Sequence, residues 1–170
     1  LMDAMPRLQW IARSGSGLDN IDIEAAADRS IRIVSSPEGN ATAVGEHAVG
    51  QLLMLLHKLA RADRHVREGG WNREAHRGGE LEARTVGIIG FGNMGQSFAK
   101  RLMGFGCSVL VYDKYVSGFN GQYGVQEVKM EQLHADADIV SLHLPLTPET
   151  HGMIDANWIA QFQRPFYLLN

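Results

Sequence analysis

The chain has 170 residues, 45% of them hydrophobic and 21% charged, which excludes a disordered or fibrous protein and suffices for a buried core. Sixteen Lys and Arg against nineteen Asp and Glu leave a formal charge of -3 without long like-charge runs, so neither nucleic acid nor an anionic membrane is an expected partner. The lone cysteine, Cys107, cannot form an intrachain disulfide, which fits a reducing, cytoplasmic setting.

The opening residues LMDAMPRLQW lack the basic region, apolar run and cleavage pattern of a signal peptide, and Leu1 is not an initiator Met, so the start reads as an internal cut. Residues 8–12 (LQWIA) predict a strand, the Gly-rich RSGSG a loop, residues 22–29 a helix and residues 31–34 a second strand. Over residues 40–67 the apolar positions Val44, Ala48, Leu52, Leu55 and Leu59 recur at helical spacing, widened by Val49, Leu53, Leu56 and Ala60. One long, largely buried helix is expected there, reaching roughly 35 to 40 Å from one domain to the next. Its most apolar part, residues 48–56, contains Gln51 and runs into His57 and Lys58, far short of the roughly 18 apolar residues of a membrane span.

Gly69, Gly70, Gly78 and Gly79 then interrupt the pattern, and the polar segment EGGWNREAHRGGEL with its single large anchor Trp71 reads as an arm between domains. A domain boundary near residue 84 follows. Beyond it, strands are expected at 86–89, 109–112, 125–128, 139–144 and 166–169, and helices at 96–105, 130–134 and 157–162. Such alternation predicts a parallel α/β sheet covered by helices on both faces. The chain ends on an apolar strand without a covering helix, so sequence is expected after Asn170 as well as before Leu1.

Gly90-Phe91-Gly92-Asn93-Met94-Gly95 matches G-x-G-x-x-G between a strand and a helix. Gly90 allows a tight turn, Gly92 lets backbone approach a pyrophosphate, and Gly95 lets the helix lie close on the sheet. The helix N-terminus then meets the phosphates with free N–H groups and a partial positive charge. Asp113 closes the next strand, 18 residues after Gly95, where a carboxylate accepts hydrogen bonds from a ribose and repels a 2′-phosphate. The expected cofactor is therefore NAD rather than NADP. Lys114, next in sequence, reads as a solvated surface charge.

The series ARSGSGLDNID (12–22), SPEGNATAVGEHAVG (36–50), IIGFGNMG (88–95), VYDKY (111–115) and SLHLPLTPETHGMI (141–154) resembles the D-isomer-specific 2-hydroxyacid dehydrogenases over nearly the whole chain. SPEGN resembles the phosphoglycerate dehydrogenase branch in particular. The resemblance implies a Rossmann-type doubly wound parallel sheet, here incomplete, preceded by part of a flavodoxin-like substrate domain. Residues 1–37 would close the first section of that domain, 38–84 form the connecting helix and arm, and 85–170 form a truncated NAD-binding domain.

By the same resemblance, the backbone N–H groups of Asn93 and Met94 would hold pyrophosphate and Asp113 the ribose. Leu144 and Pro145 would lie beneath the adenosine, and Ser16 near the nicotinamide. Ordinary packing explains Leu144 and Pro145 equally well. Arg13, Ser14, Gly15 and Asn40 resemble loops that meet the hydroxy acid's carboxylate, while a plain turn at Gly15 and a helix cap at Asn40 remain open alternatives. His143 belongs to the nucleotide-domain motif and is not taken as catalytic. The family's catalytic Arg, Glu and His would lie beyond Asn170, so no catalytic residue and no metal site are assigned within the chain. The activity implied is NAD-dependent hydride transfer with a D-2-hydroxy acid. The first choice is 3-phosphoglycerate and 3-phosphohydroxypyruvate in serine biosynthesis, and the alternative is glycerate with hydroxypyruvate, or glyoxylate. The C-terminal-binding-protein corepressors, which SGSGLDNIDI and YDKY also resemble, are the alternative of another class. A homodimer through the nucleotide domain, using the long helix and the Trp71 segment, is implied as well.

Overall fold

The computed structural model describes residues 2–170, and the chain divides into two compact units, one ending at Ala43 and one running from Val44 to Asn170. In the first unit, strands β1 (Trp10–Arg13) and β2 (Arg32–Ser35) pair in parallel, with Trp10 opposite Arg32 and Arg13 opposite Ser35. Parallel neighbours need a crossover, which helix α1 (Ile23–Asp28) supplies. Asp22 caps that helix, its carboxylate accepting the Ala25 N–H at 2.9 Å, and Ala26 is its fully buried contact.

The expected single helix over residues 40–67 is in fact two helices, α2 (Ala41–Leu56) and α3 (Leu59–Arg67). The break is Lys58, whose φ of 53° is left-handed and cannot continue a right-handed helix. Burial is also narrower than the apolar stripe suggests. The buried positions of α2 are Gly45, Ala48, Leu52 and Leu56, whereas α3 buries none, and Leu55 and Leu59 lie exposed. Gly45 lets α2 lie close to the helix that contains Ser97, since a Cβ there would sit 2.7 Å from Ser97 Oγ and 2.9 Å from the Ser97 carbonyl oxygen.

Trp71 does not anchor the following segment on its own unit, because it is 84% exposed. Leu81, 4% exposed, is the residue that enters the core. The segment is tied down at Gly78 and Gly79 instead. The Gly79 N–H donates to the Leu56 carbonyl at 2.9 Å, and a Cβ at Gly78 would come within 2.6 Å of the same oxygen.

The sheet of the second unit contains β3 (Thr85–Ile89), β4 (Ser108–Tyr112), β5 (Gln126–Glu127), β6 (Ile139–Leu142) and β7 (Tyr167–Leu169). Every pairing is parallel, in the order β5-β4-β3-β6-β7. Helices α4 (Asn93–Leu102), α5 (Met130–Asp136) and α6 (Ala156–Ile159) make the connections. One face of β3 presents Val86 and Ile88 to Leu52 and Leu56 of α2 and Phe98 and Leu102 of α4. On the other side, Ile89 joins Leu133 of α5 and Trp158 of α6. Gly87, midway along β3, admits Leu133, whose Cγ would stand 2.9 Å from a Cβ there. Thus the sheet is doubly wound, as the alternation of the sequence predicts. The chain runs outward from β3 through β4 to β5 and then returns to β6 on β3's other side, which opens a crevice at the carboxyl ends of β3 and β6. Among the described residues, no helix is long and apolar enough to cross a membrane.

Candidate functional site

The turn after β3 is the first wall of that crevice. Gly90 has φ 94° and lies against the loop after β6, where a Cβ would sit 2.5 Å from the His143 carbonyl oxygen. Gly95, in the first turn of α4, leaves no room either, since its Cβ would be 2.0 Å from the Gly90 carbonyl oxygen. Gly92 differs. A Cβ there would meet nothing within 4 Å, so the chain's own packing does not require glycine at this position. The open space lies over the N-terminus of α4, where Gly92 is the N-cap and no side chain caps the helix. Asn93 and Met94 are the next two residues, and their N–H groups have no partner within the helix. Lys100 and Arg101 in the last turn complement the dipole whose positive end faces this space.

Asp113, directly after β4, ties the turn to its neighbour. Its Oδ2 accepts the Phe91 N–H at 2.6 Å, and its Oδ1 accepts the N–H groups of Tyr115 at 2.8 Å and Val116 at 2.9 Å. Burial pushes this carboxyl up, but the three backbone donors outweigh burial and hold it below its ordinary value. A carboxylate offers about four lone-pair sites, so three N–H partners leave capacity for a hydroxyl donor.

Leu144 and Pro145 follow β6 and form the facing wall. Together with Gly90, Gly92 and Asp113 they line a cavity of about 850 Å³. The loop beyond is held by a threonine pair: the Thr150 hydroxyl donates to the Pro145 carbonyl at 2.6 Å, and the Thr147 N–H donates to the Thr150 hydroxyl at 2.8 Å. His143 also lines the cavity, with Nε2 2.9 Å from Ser141 Oγ and its ring 5.4 Å from that of Phe98. Burial lowers its pKa to about 4, so the imidazole is neutral at pH 7.

Lys114 is an exposed charge, as its place in the sequence suggests, but it is also paired. Its ammonium pairs with Glu149 of the loop after β6, and Glu149 also accepts the Tyr115 hydroxyl. These three residues line the cavity and were not legible in the sequence, because their pairing joins positions 35 residues apart.

Arg13, Ser14, Gly15, Ser16 and Asn40 gather in the first unit at the carboxyl ends of β1 and β2. Gly15 has φ 134°, its carbonyl accepts the Ser36 N–H at 3.2 Å, and a Cβ there would lie 3.8 Å from Asn40 Nδ2. Asn40 directly precedes α2, yet its Oδ1 is buried with no protein partner, so it makes no side-chain cap. No group of three His, Cys, Asp or Glu suited to a metal ion occurs among the described residues.

Residues 49–170 match the D-isomer specific 2-hydroxyacid dehydrogenase family, NAD binding domain. The chain belongs to this family. D-3-phosphoglycerate dehydrogenase of Mycobacterium tuberculosis is 39% identical over 171 residues, a match that takes in 100% of this chain and 32% of the relative. Hydroxypyruvate reductase of Thermotoga maritima is 36% identical over 170 residues, covering 100% of this chain and 55% of the relative. Among solved structures, the NAD-dependent formate dehydrogenase of Staphylococcus aureus in complex with NAD superposes with a TM-score of 0.85 at 32% identity, over 98% of this chain and 50% of that one. The chain thus spans between about a third and about half of the length of these relatives. Its family domain is an NAD-binding one, in agreement with the Rossmann-type sheet and the glycine turn.

Proposed function

We propose that the crevice at Gly90–Gly95 and Asp113 holds NAD as the cofactor half of a D-2-hydroxyacid dehydrogenase active site. The observation that carries this reading is the open space at Gly92. The two glycines that flank it are demanded by the chain's own contacts, whereas Gly92 keeps clear a place beside uncapped helix N–H groups. In that place Asn93 and Met94 donate backbone hydrogen bonds to the pyrophosphate and Gly95 keeps the helix close. Asp113 accepts from the adenosine ribose, and Leu144 and Pro145 cover the adenosine half. NAD supplies a nicotinamide that exchanges a hydride with C2 of the hydroxy acid.

Residues 1–37 belong to the substrate domain in this reading, 38–84 form the connecting helix and arm, whose part from residue 49 already lies within the family match, and 85–170 carry the sheet of the NAD-binding domain. Ser16 lies near the nicotinamide. Arg13, Ser14, Gly15 and Asn40 belong to the loops that meet the substrate and its carboxylate; the buried, unpartnered Asn40 Oδ1, an acceptor, calls for a donor and so suits the substrate's hydroxyl. The substrate is 3-phosphoglycerate, supported by the 39% identity to D-3-phosphoglycerate dehydrogenase; glycerate with hydroxypyruvate is the alternative that the 36% identity to hydroxypyruvate reductase keeps in play. The relatives above are oxidoreductases, which disfavours the corepressor reading. The protein works in the cytoplasm as a homodimer.

Calorimetric titration tests the cofactor assignment. Saturable NAD binding is expected, with NADP weaker by about tenfold or more, equivalent to about 1.4 kcal/mol. Equal affinities would overturn the NAD preference, and absence of NAD binding would overturn the site. Turnover of the whole protein with NAD and either 3-phosphoglycerate or D-glycerate decides the substrate, while the 170-residue chain alone is expected to show none.

A further inference from the structure

The cavity rim carries a charge arrangement that the dinucleotide turn does not explain. Lys114 is the only Lys or Arg among the residues lining the cavity, and it is the immediate neighbour of Asp113. Two hydrogen bonds to Asp113 Oδ1 fix the backbone just beyond it. The Lys114 ammonium bonds Glu149 Oε1, the Tyr115 hydroxyl donates to Glu149 Oε2, and the ammonium lies 5.4 Å from the centroid of the Tyr115 ring. Glu149 itself rides on the loop that the Thr147–Thr150 pair braces. A cation standing beside the ribose acid is thereby tied to the opposite wall. With Asp113, Lys114 and Glu149 charged, the lining carries one net negative charge; without Glu149 it would carry none.

Resting on the NAD reading above, we propose that Glu149 is a specificity-determining residue that acts through Lys114. It holds the ammonium away from the ribose 2′ position and so denies a 2′-phosphate the one cation within the cavity lining. Asp113 repels the phosphate, and Glu149 removes what would otherwise compensate that repulsion. Both side chains of the pair are about half exposed, at 56% and 49%, so the effect is moderate and salt-sensitive.

The test measures NAD and NADP dissociation constants for the 170-residue chain by titration calorimetry, in the wild type, Glu149→Gln, Glu149→Asp and the double variant Lys114→Met/Glu149→Gln. The NADP-to-NAD ratio of dissociation constants is expected to fall about fivefold to tenfold in Glu149→Gln. It should remain near wild type in Glu149→Asp, return to wild type in the double variant, and its fall should shrink between about 0.05 and 0.5 M salt. An unchanged ratio in Glu149→Gln overturns the proposal, including the case where both dinucleotides weaken equally, which would make Glu149 a brace only. A fall that persists in the double variant overturns it too, because Lys114 would then not be the agent. Wild-type protein that binds no NAD would instead overturn the underlying site assignment, and this proposal with it.

Discussion

The 2.6 Å hydrogen bond from the Phe91 N–H to Asp113 Oδ2 makes the glycine turn and the acid after β4 a single device. Phe91 is 1% exposed, so its N–H depends on this carboxylate for its partner in the folded chain. Asp113 therefore shapes the turn as well as offering an oxygen to a ribose. Replacing it with Ala should cost about 1 to 3 kcal/mol of stability, the penalty of an orphaned buried donor, and weaken NAD binding by about tenfold or more. Urea unfolding and calorimetry read the two effects. Unchanged stability with lost binding would show that the Phe91 contact is dispensable. Because the folded carboxyl lies below its ordinary 3.8, its stabilisation is complete above that value and is lost only as pH falls through the lower folded one.

Gly92 and Gly95 should respond in opposite ways to the same methyl group. Gly95→Ala drives a Cβ to 2.0 Å from the Gly90 carbonyl oxygen, so helix and turn must separate, at about 2 to 4 kcal/mol. Gly92→Ala meets nothing within 4 Å and should leave the unfolding free energy in urea within about 0.5 kcal/mol of wild type, while NAD affinity falls about tenfold or more. If Gly92→Ala bound NAD normally, the open space would not be where the pyrophosphate sits.

The same contrast marks what the sequence could and could not disclose. The alternation of apolar runs and helical stripes located β3, β4, β6 and β7 within about two residues; for β3, β4 and β6 this is because buried parallel strands leave a nearly continuous apolar signature, whereas β7 is apolar in sequence although Tyr167 and Leu168 are exposed. The glycine fingerprint placed the turn, since only glycine tolerates those contacts. Yet periodicity does not report a left-handed residue, and so the break at Lys58 was hidden inside a stripe that looked continuous. Nor does it separate an anchor from an exposed aromatic: Trp71 and Leu81 are both apolar residues in a polar segment, and only Leu81 enters the core. The Lys114–Glu149 bridge depends on two loops meeting above the sheet, a relation that no local pattern encodes.

His143 should set part of the acid sensitivity of the fold. Burial depresses its pKa to about 4 from 6.5, so the unfolded chain binds the extra proton between those values and the folded chain does not. Stability from this group is whole above pH 6.5 and is lost progressively toward pH 4, amounting to about 3 kcal/mol across the window. His143→Gln retains a hydrogen-bonding partner for Ser141 without the titration. Urea midpoints measured through that window should fall less steeply for the variant, and parallel slopes would show that the imidazole protonates in place.

The exposed apolar residues of the α2–α3 region are where the proposed dimer can be tested separately from the fold. Leu55, Leu59, Val66 and Trp71 are 44%, 52%, 53% and 84% exposed, although α3 and the segment after it are otherwise polar. A tryptophan held in the open contributes nothing to its own unit and is the residue type that most often dominates an interface when a partner covers it. Trp71→Ala should therefore change the unfolding free energy of the dissociated chain in urea by no more than about 0.5 kcal/mol. In sedimentation equilibrium it should weaken self-association by about tenfold or more, the effect of losing at least about 1.4 kcal/mol of contact. A wild-type chain that sediments as a monomer at high concentration would remove the dimer reading. Unaltered association in Trp71→Ala would move the interface away from this segment, whatever the wild-type affinity.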